Sequence, residues 1–223
     1  MVTTSILNES FSITLVNNKH LLITQFDGTA TSSGSLDLQT AHTSVPTGGN
    51  AFAMMDTWDV TAFGGVLTSD GTSTITTGEA DADEQGTQEF DFEVTGSFTA
   101  PDAAGRGTII LQGLQFAYYV VGPKAFRLIE IDGFGSGLFL SGSMYGQGAG
   151  TFSAASLTGK FVFGQAGEND LGFGFYGAAG QFTTNGTTTL TAGAADVNES
   201  DGPSFLVTAG DLSGSAYFVN SNG

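Results

Sequence analysis

The sequence has 223 residues, of which 22 are acidic and 5 are basic, so its formal net charge is −17. A surface of this charge repels phosphate backbones, and we therefore exclude nucleic acid as a partner. The chain contains no cysteine, which excludes disulfides and thiolate metal sites.

Composition also limits the fold class. Hydrophobic residues make up 40% of the chain, and it contains 34 Gly, 19 Phe and only 4 Pro. These features, with little periodicity of 3.6 residues, are typical of many short strands joined by tight turns. No apolar run reaches the roughly 18 residues of a membrane helix, and no consistent aromatic girdle marks the strand ends. We predict an all-β protein without membrane insertion.

In chain order, the first predicted strands form hairpins near the N-terminus. Phe11, Ile13 and Leu15 alternate along one of them, as Phe116, Tyr118 and Val120 do in the middle of the chain, and these positions are predicted to face a core. A continuous stretch of strand candidates follows over 48–150. The remaining candidates are Lys160 to Gln165, Gly172 to Thr184, Thr187 to Asn198, Phe205 to Ala209 and Ser213 to Val219.

The sequence contains an internal repeat. "GVLTSDGTSTITTGEADADE" at 65–84 aligns without a gap on "GQFTTNGTTTLTAGAADVNE" at 180–199, an offset of 115. "FAYYVVGPKAFRLIEIDG" at 116–133 aligns on "FSITLVNNKHLLITQFDG" at 11–28, an offset of 105. Matching turn residues are more specific evidence than shared β composition.

The chain ends belong to this repeat as well. "TGSFTAPDAAG" at 95–105 aligns on "SGSAYFVNSNG" at 213–223, an offset of 118. The offsets 118 and 105 add up to the chain length of 223, so Met1 follows Gly223 in repeat register. The sequence therefore corresponds to two repeats, one of which is cut open inside a hairpin.

We predict two antiparallel β-barrel-like repeats of about eight strands each, with a β-sandwich as the alternative. The continuous repeat covers 48–150. The split repeat covers 151–223 plus 1–40 and is completed by the N-terminal strands of the same chain or of a neighbouring chain. The residues predicted to associate at the cut are Val2, Thr3, Thr4, Ile6, Tyr217, Phe218 and Val219.

Several motifs resemble a known group of proteins. They are Gly180 to Asn198, Gly96 to Thr108, Tyr118 to Asp132 and Leu140 to Gln147. They are similar to tandem β-repeats of about a hundred residues in large secreted or cell-surface proteins of environmental bacteria. The resemblance implies an extracellular structural setting and supplies no catalytic residues. The N-terminal copy departs from it at His20 and Leu22.

Acidic residues of the repeat suggest one candidate metal site. Closely spaced carboxylates favour Ca²⁺, although Asp and Asn also serve as turn residues in hairpins. The candidate ligands are Asp81, Asp83 and Glu84 and their repeat equivalents Asp196, Asn198 and Glu199. We predict no other cofactor.

The sequence offers no catalytic constellation, because it lacks a G-x-S-x-G elbow and an H-E-x-x-H motif. We therefore predict that the protein is not an enzyme. Asn8, Asn185 and Asn198 begin N-x-(S/T) sequons that would fit glycan attachment on an exported surface. The favoured function is an extracellular structural protein, a surface module or a self-assembling fibre subunit joined by β-strand complementation. The alternative is a β-barrel module that binds carbohydrate or Ca²⁺.

Overall fold

The computed structural model describes residues 2–6, 9–25, 27–28, 31–56, 60–132, 137–169, 174–201 and 204–223, with the backbone alone at 2–6, 169, 201 and 204–208. The protein is all-β, as predicted. Its strands are β1 (Val2–Ile6), β2 (Glu9–Leu15), β3 (His20–Gln25), β4 (Ser33–Asp37), β5 (Thr47–Asp56), β6 (Thr61–Asp70), β7 (Thr74–Glu84), β8 (Thr87–Glu93), β9 (Gly96–Phe98), β10 (Arg106–Leu111), β11 (Leu114–Gly122), β12 (Ala125–Glu130), β13 (Ser141–Gly146), β14 (Thr158–Asn169), β15 (Gly174–Asn185), β16 (Ala192–Asp201) and β17 (Ser204–Asp211).

The middle of the chain forms a closed antiparallel barrel of eight strands. Its order is β5-β6-β7-β9-β10-β11-β12-β13, and β13 pairs back onto β5. Strand β9 pairs with the first residues of β7, whereas β8 pairs with the second half of β7 and lies outside the closed ring. Full closure leaves no unpaired sheet edge in this ring.

The barrel encloses the hydrophobic core. Alternate residues of its strands point inward, as the period of two requires. Phe116 and Ile109 are completely buried there, and Phe52 packs edge-on against Phe63 with 5.0 Å between the ring centroids. Replacing Phe116 by Ala would therefore cost about 3–5 kcal/mol.

Tyr118 is the largest side chain in this core. It is completely buried, its hydroxyl donates to the carbonyl oxygen of Thr99 at 2.7 Å, and burial raises its pKa to about 12. Gly107 lies directly opposite on β10, where a Cβ would be 2.4 Å from the tyrosine ring. The glycine thus makes room for the ring.

The two ends of the chain form separate open sheets. Strands β1–β4 form a four-stranded meander, here called the N-terminal half sheet, and β14–β17 form a second one, the C-terminal half sheet. The stretch Ser213 to Val219, predicted as a strand, makes only a bridge between Ala216 and Thr189. Among the described residues, its pairing does not extend beyond this bridge and the backbone hydrogen bonds beside it.

Candidate assembly interface

The two half sheets have open edges. In the N-terminal half sheet β1 pairs only with β2, and β4 pairs only with β3, among the residues that the structure describes. In the C-terminal half sheet the same holds for β14, which pairs only with β15. Unpaired edges of this kind are templates for pairing with another strand.

The N-terminal half sheet has the strand register of one half of the barrel. Val2 lies opposite Ile13 in β1–β2, as Gly107 lies opposite Tyr118 in β10–β11. The residue pairs between β2 and β3 agree with those between β11 and β12 in the same way. Strand β4 also pairs with β3 as β13 pairs with β12, but the loop before β4 is three residues shorter than the loop before β13. The sheets therefore correspond strand by strand.

Burial differs sharply between these corresponding positions. Val120 in the barrel is 2% exposed, whereas its equivalent Leu15 in the half sheet is 58% exposed. The other inward positions of the half sheet are half-buried, while their barrel equivalents are buried. These half-sheet positions are Phe11, Ile13, Leu21, Ile23 and Leu36. The N-terminal half sheet thus presents an apolar face that no described residue fully covers.

The C-terminal half sheet has a matching apolar face. Phe182 on β15 stacks on Phe161 of β14, with 5.3 Å between the ring centroids, and lies 6.4 Å from Phe163. These three side chains are only half-buried. Val197 on β16 continues the face and is also half-buried. This sheet corresponds to the barrel strands β5 to β8.

The predicted self-association residues at the C-terminus have distinct environments. Tyr217 points to the inner face, where its hydroxyl lies 2.6 Å from Thr184 Oγ1. Phe218 is 88% exposed, and Val219 is half-buried. The backbone of Val2, Thr3, Thr4 and Ile6 forms β1, and their side chains lie outside the described residues.

A polar cluster holds the N-terminal half sheet against the barrel. Arg127 on β12 donates to Asp37 and to Ser35 of β4, and Nδ1 of His20 lies 2.8 Å from Asp37 Oδ1. The hydrogen bonds from His20 and Arg127 hold the pKa of Asp37 below its usual value, although partial burial opposes this shift. The contact uses the outer face of β4 and leaves its edge open.

The C-terminal tail is held on another wall of the barrel. Asn220 and Asn222 donate their side-chain amides to the two carboxylate oxygens of Glu79 on β7, at 3.2 and 2.7 Å. Gln147 in turn donates to the carbonyl oxygen of Asn222 at 3.0 Å. These contacts connect the end of the chain to the barrel without closing either half sheet.

The candidate calcium ligands serve as hairpin residues. Asp81 Oδ1 accepts the backbone N–H of Asp91 at 2.9 Å, and Asp83 Oδ1 accepts that of Gly86 at 3.0 Å. Glu84 is exposed, as are Asp196 and Asn198, and Glu199 is half-buried. Within the described ranges, no group of three or more His, Asp or Glu side chains is placed to hold a metal ion.

Sequence reasoning missed some of the interface. Strand β4 was not among the predicted strands, because "SGSLD" has only one large apolar residue, Leu36. The repeat could have identified it, because "SSGSLDLQ" at 32–39 aligns on "LSGSMYGQ" at 140–147, which contains β13. Phe163 lies in a predicted strand but was not assigned to the interface; its signal was the matching Phe52 in β5.

Comparisons with known proteins identify no relative of this chain. The chain matches no family model, no curated protein and no solved structure. In the described part of the chain, no helix is long and apolar enough to cross a membrane. The interface therefore has to be interpreted from its own geometry.

Proposed function

We propose that the protein is an extracellular structural subunit that assembles with copies of itself by β-strand complementation. One observation carries the proposal. In the part of the chain that the structure describes, each half sheet combines unpaired edge strands with an apolar inner face that is only half-buried. A second copy supplies the missing strands for both.

The energetic case rests on the exposed apolar face. Fully burying a single leucine such as Leu15 stabilises an interface by about 1.5–3 kcal/mol. Each 1.4 kcal/mol corresponds to about a tenfold change in the dissociation constant. Several such positions on each half sheet therefore provide a driving force for association, against which the charge of −17 per copy acts by repulsion.

The extracellular assignment rests on the sequence. Its motifs resemble repeats of bacterial secreted and cell-surface proteins. A contact between unlike surfaces yields a ring where the rotation between successive copies closes and a fibre where it does not, and we infer the fibre. The acidic surface keeps such a fibre soluble and separate from other polyanions.

Mass photometry and negative-stain imaging over a range of protein concentrations test this function. The expected result is a series of oligomers that grows with concentration and ends in linear fibres. A Leu15→Asp variant, which places a charge on the exposed apolar face, is the matched control and should shift the series toward monomer. A chain that stays strictly monomeric at high concentration contradicts the proposal.

A further inference from the structure

We propose that each joint between subunits is a second eight-stranded barrel, built from β1–β4 of one copy and from β14–β16 with the C-terminal stretch 213–219 of the next, while β17 lies outside the ring as β8 does. In this joint β4 lies against β14 in the register that joins β13 to β5 in the intact barrel. The inference rests on the proposed self-assembly and specifies its partner surface, its register and the chain to which each strand belongs.

The register follows from the seam of the intact barrel. There Met144 of β13 lies opposite Phe52 of β5. Leu36 takes the place of Met144, because it lies opposite Leu21 as Met144 lies opposite Phe126. Phe163 takes the place of Phe52, because it lies opposite Gly180 as Phe52 lies opposite Gly65.

Leu36 of one copy is thus expected to lie opposite Phe163 of the next, with both side chains in a shared core. The adjacent pair is Ser35 with Gly164, on the outer face. The intact seam contains six such residue pairs. A joint as long as this seam covers the apolar inner faces of both half sheets.

Gly34 supports this seam independently of the apolar residues. Its equivalent Gly142 cannot carry a side chain, because a Cβ there would lie 2.0 Å from the carbonyl oxygen of Ala53 and 2.7 Å from Cα of Met54. At Gly34 a Cβ would meet only Ile23 Cγ2, at an ordinary 3.7 Å. The half sheet itself does not require glycine at this position, but a neighbouring strand in the place of β5 does.

The other seam joins β1 to the C-terminal stretch. Tyr217 takes the place of Phe98, one residue beyond the Ala216 that the offset of 118 assigns to it, because its backbone N–H bonds to the carbonyl oxygen of Thr188 as that of Phe98 bonds to that of Ser73. Phe98 lies opposite Ile109 of β10, and the equivalent of Ile109 in β1 is Thr4. Tyr217 of one copy is therefore expected opposite Thr4 of the next.

The anchoring of the half sheets favours closure between copies rather than within one chain. The N-terminal half sheet is tied to Arg127 on β12, and the C-terminal tail to Glu79 on β7. In the closed ring β7 and β12 are four strands apart in either direction, so the two anchors lie on opposite walls. The two halves are thus anchored to opposite walls of their own barrel, and β14 also lies beside Met55 of β5 at Gly167.

Cysteine crosslinking of the 223-residue chain tests this joint, since the chain has no native cysteine. The Ser35→Cys and Gly164→Cys substitutions are made in one chain. Residues directly opposite in an antiparallel pair have Cα atoms about 4.5–5.5 Å apart, within the range of a disulfide. A Cβ at Gly164 meets nothing within 4 Å, and its barrel equivalent is an alanine. Mild oxidation should yield a ladder of disulfide-linked oligomers on a non-reducing gel.

The register control combines Ser35→Cys with Val162→Cys. Val162 lies two residues before Gly164 on the same exposed face of β14. That pair would be about 8 Å apart or more and should not crosslink above the level of either single variant. Oligomers in which the control pair crosslinks as well as the first pair overturn the register but retain the self-assembly. A fast-migrating monomer with an internal disulfide overturns closure between copies. Absence of any oligomer in the unmodified protein overturns the proposed function itself.

Discussion

Gly34→Ala is expected to block assembly while leaving each subunit folded. In the half sheet the new methyl group would make only the 3.7 Å contact with Ile23, and Gly34 is exposed. Alanine also restricts the unfolded chain more than glycine, which stabilises a strand by roughly 0.5–1 kcal/mol. The melting temperature of the subunit should therefore stay the same or rise.

The joint should respond in the opposite direction. At the equivalent barrel position the methyl group would lie 2.0 Å from a backbone oxygen, a distance that requires the neighbouring strand to move. Overpacking of this kind costs about 1–3 kcal/mol, which corresponds to a roughly 5- to 150-fold weaker association. Analytical ultracentrifugation over a concentration series measures this shift directly.

Gly164→Ala is the matched control for this experiment. It is the same substitution in the facing strand, at a position whose barrel equivalent is Ala53, so the joint should accept it. If Gly34→Ala and Gly164→Ala assemble equally well, β14 does not lie beside Gly34 and the reasoning fails.

Three other expectations follow from the described contacts. Leu128→Ala in the barrel core should lower the free energy of unfolding by about 2–5 kcal/mol, because Leu128 is buried. Leu15→Ala should lower it much less in a monomer but should weaken assembly, because Leu15 is exposed. Equal losses of melting temperature for the two variants in dilute protein would contradict this difference. Because the pKa of Asp37 is lower in the folded state, its ionised carboxylate contributes fully to stability above the usual pKa of an Asp side chain. This contribution to stability is lost as the pH falls below about 4. Hydrogen exchange of β3 and β4 should increase there, and Asp37→Asn should remove the pH dependence. Raising the ionic strength should lower the concentration needed for assembly, because it screens the repulsion between copies of charge −17; light scattering at low and physiological salt would reveal an opposite trend.

Calcium provides a separate test of the alternative function. The carboxylates of Asp81 and Asp83 already accept backbone N–H groups, as hairpin residues do. Added Ca²⁺ and added EDTA should therefore leave the melting temperature unchanged in calorimetry. An upward shift with Ca²⁺ would favour the binding-module interpretation instead.

The sequence predicted the all-β class and the barrel because both depend on local patterns. Alternation along β11 indicated that Phe116 and Tyr118 face a core, and both are completely buried. The corresponding prediction for Leu15 was only partly right, because that side chain points to the same kind of face but is 58% exposed. Alternation indicates which face a residue is on, whereas burial depends on whether a covering sheet is present.

The contacts that hold the half sheets could not be predicted in the same way. Arg127 reaches Asp37 and Ser35 across some ninety positions of sequence, and nothing local links an arginine in one strand to an aspartate in a distant one. The same is true of Asn222 and Glu79. Such pairings depend on how whole sheets lie against one another, which repeat offsets do not specify.

Cryo-electron microscopy of assembled fibres can detect the shared barrel, because it assigns each strand of a joint to a chain. We predict two kinds of barrel along the fibre, one continuous within a copy and one in which four strands come from each of two copies. In the second kind, Leu36 of one copy should face Phe163 of the next. Tracing all eight strands of that barrel to a single chain, or finding the half sheets still open in the fibre, would contradict it.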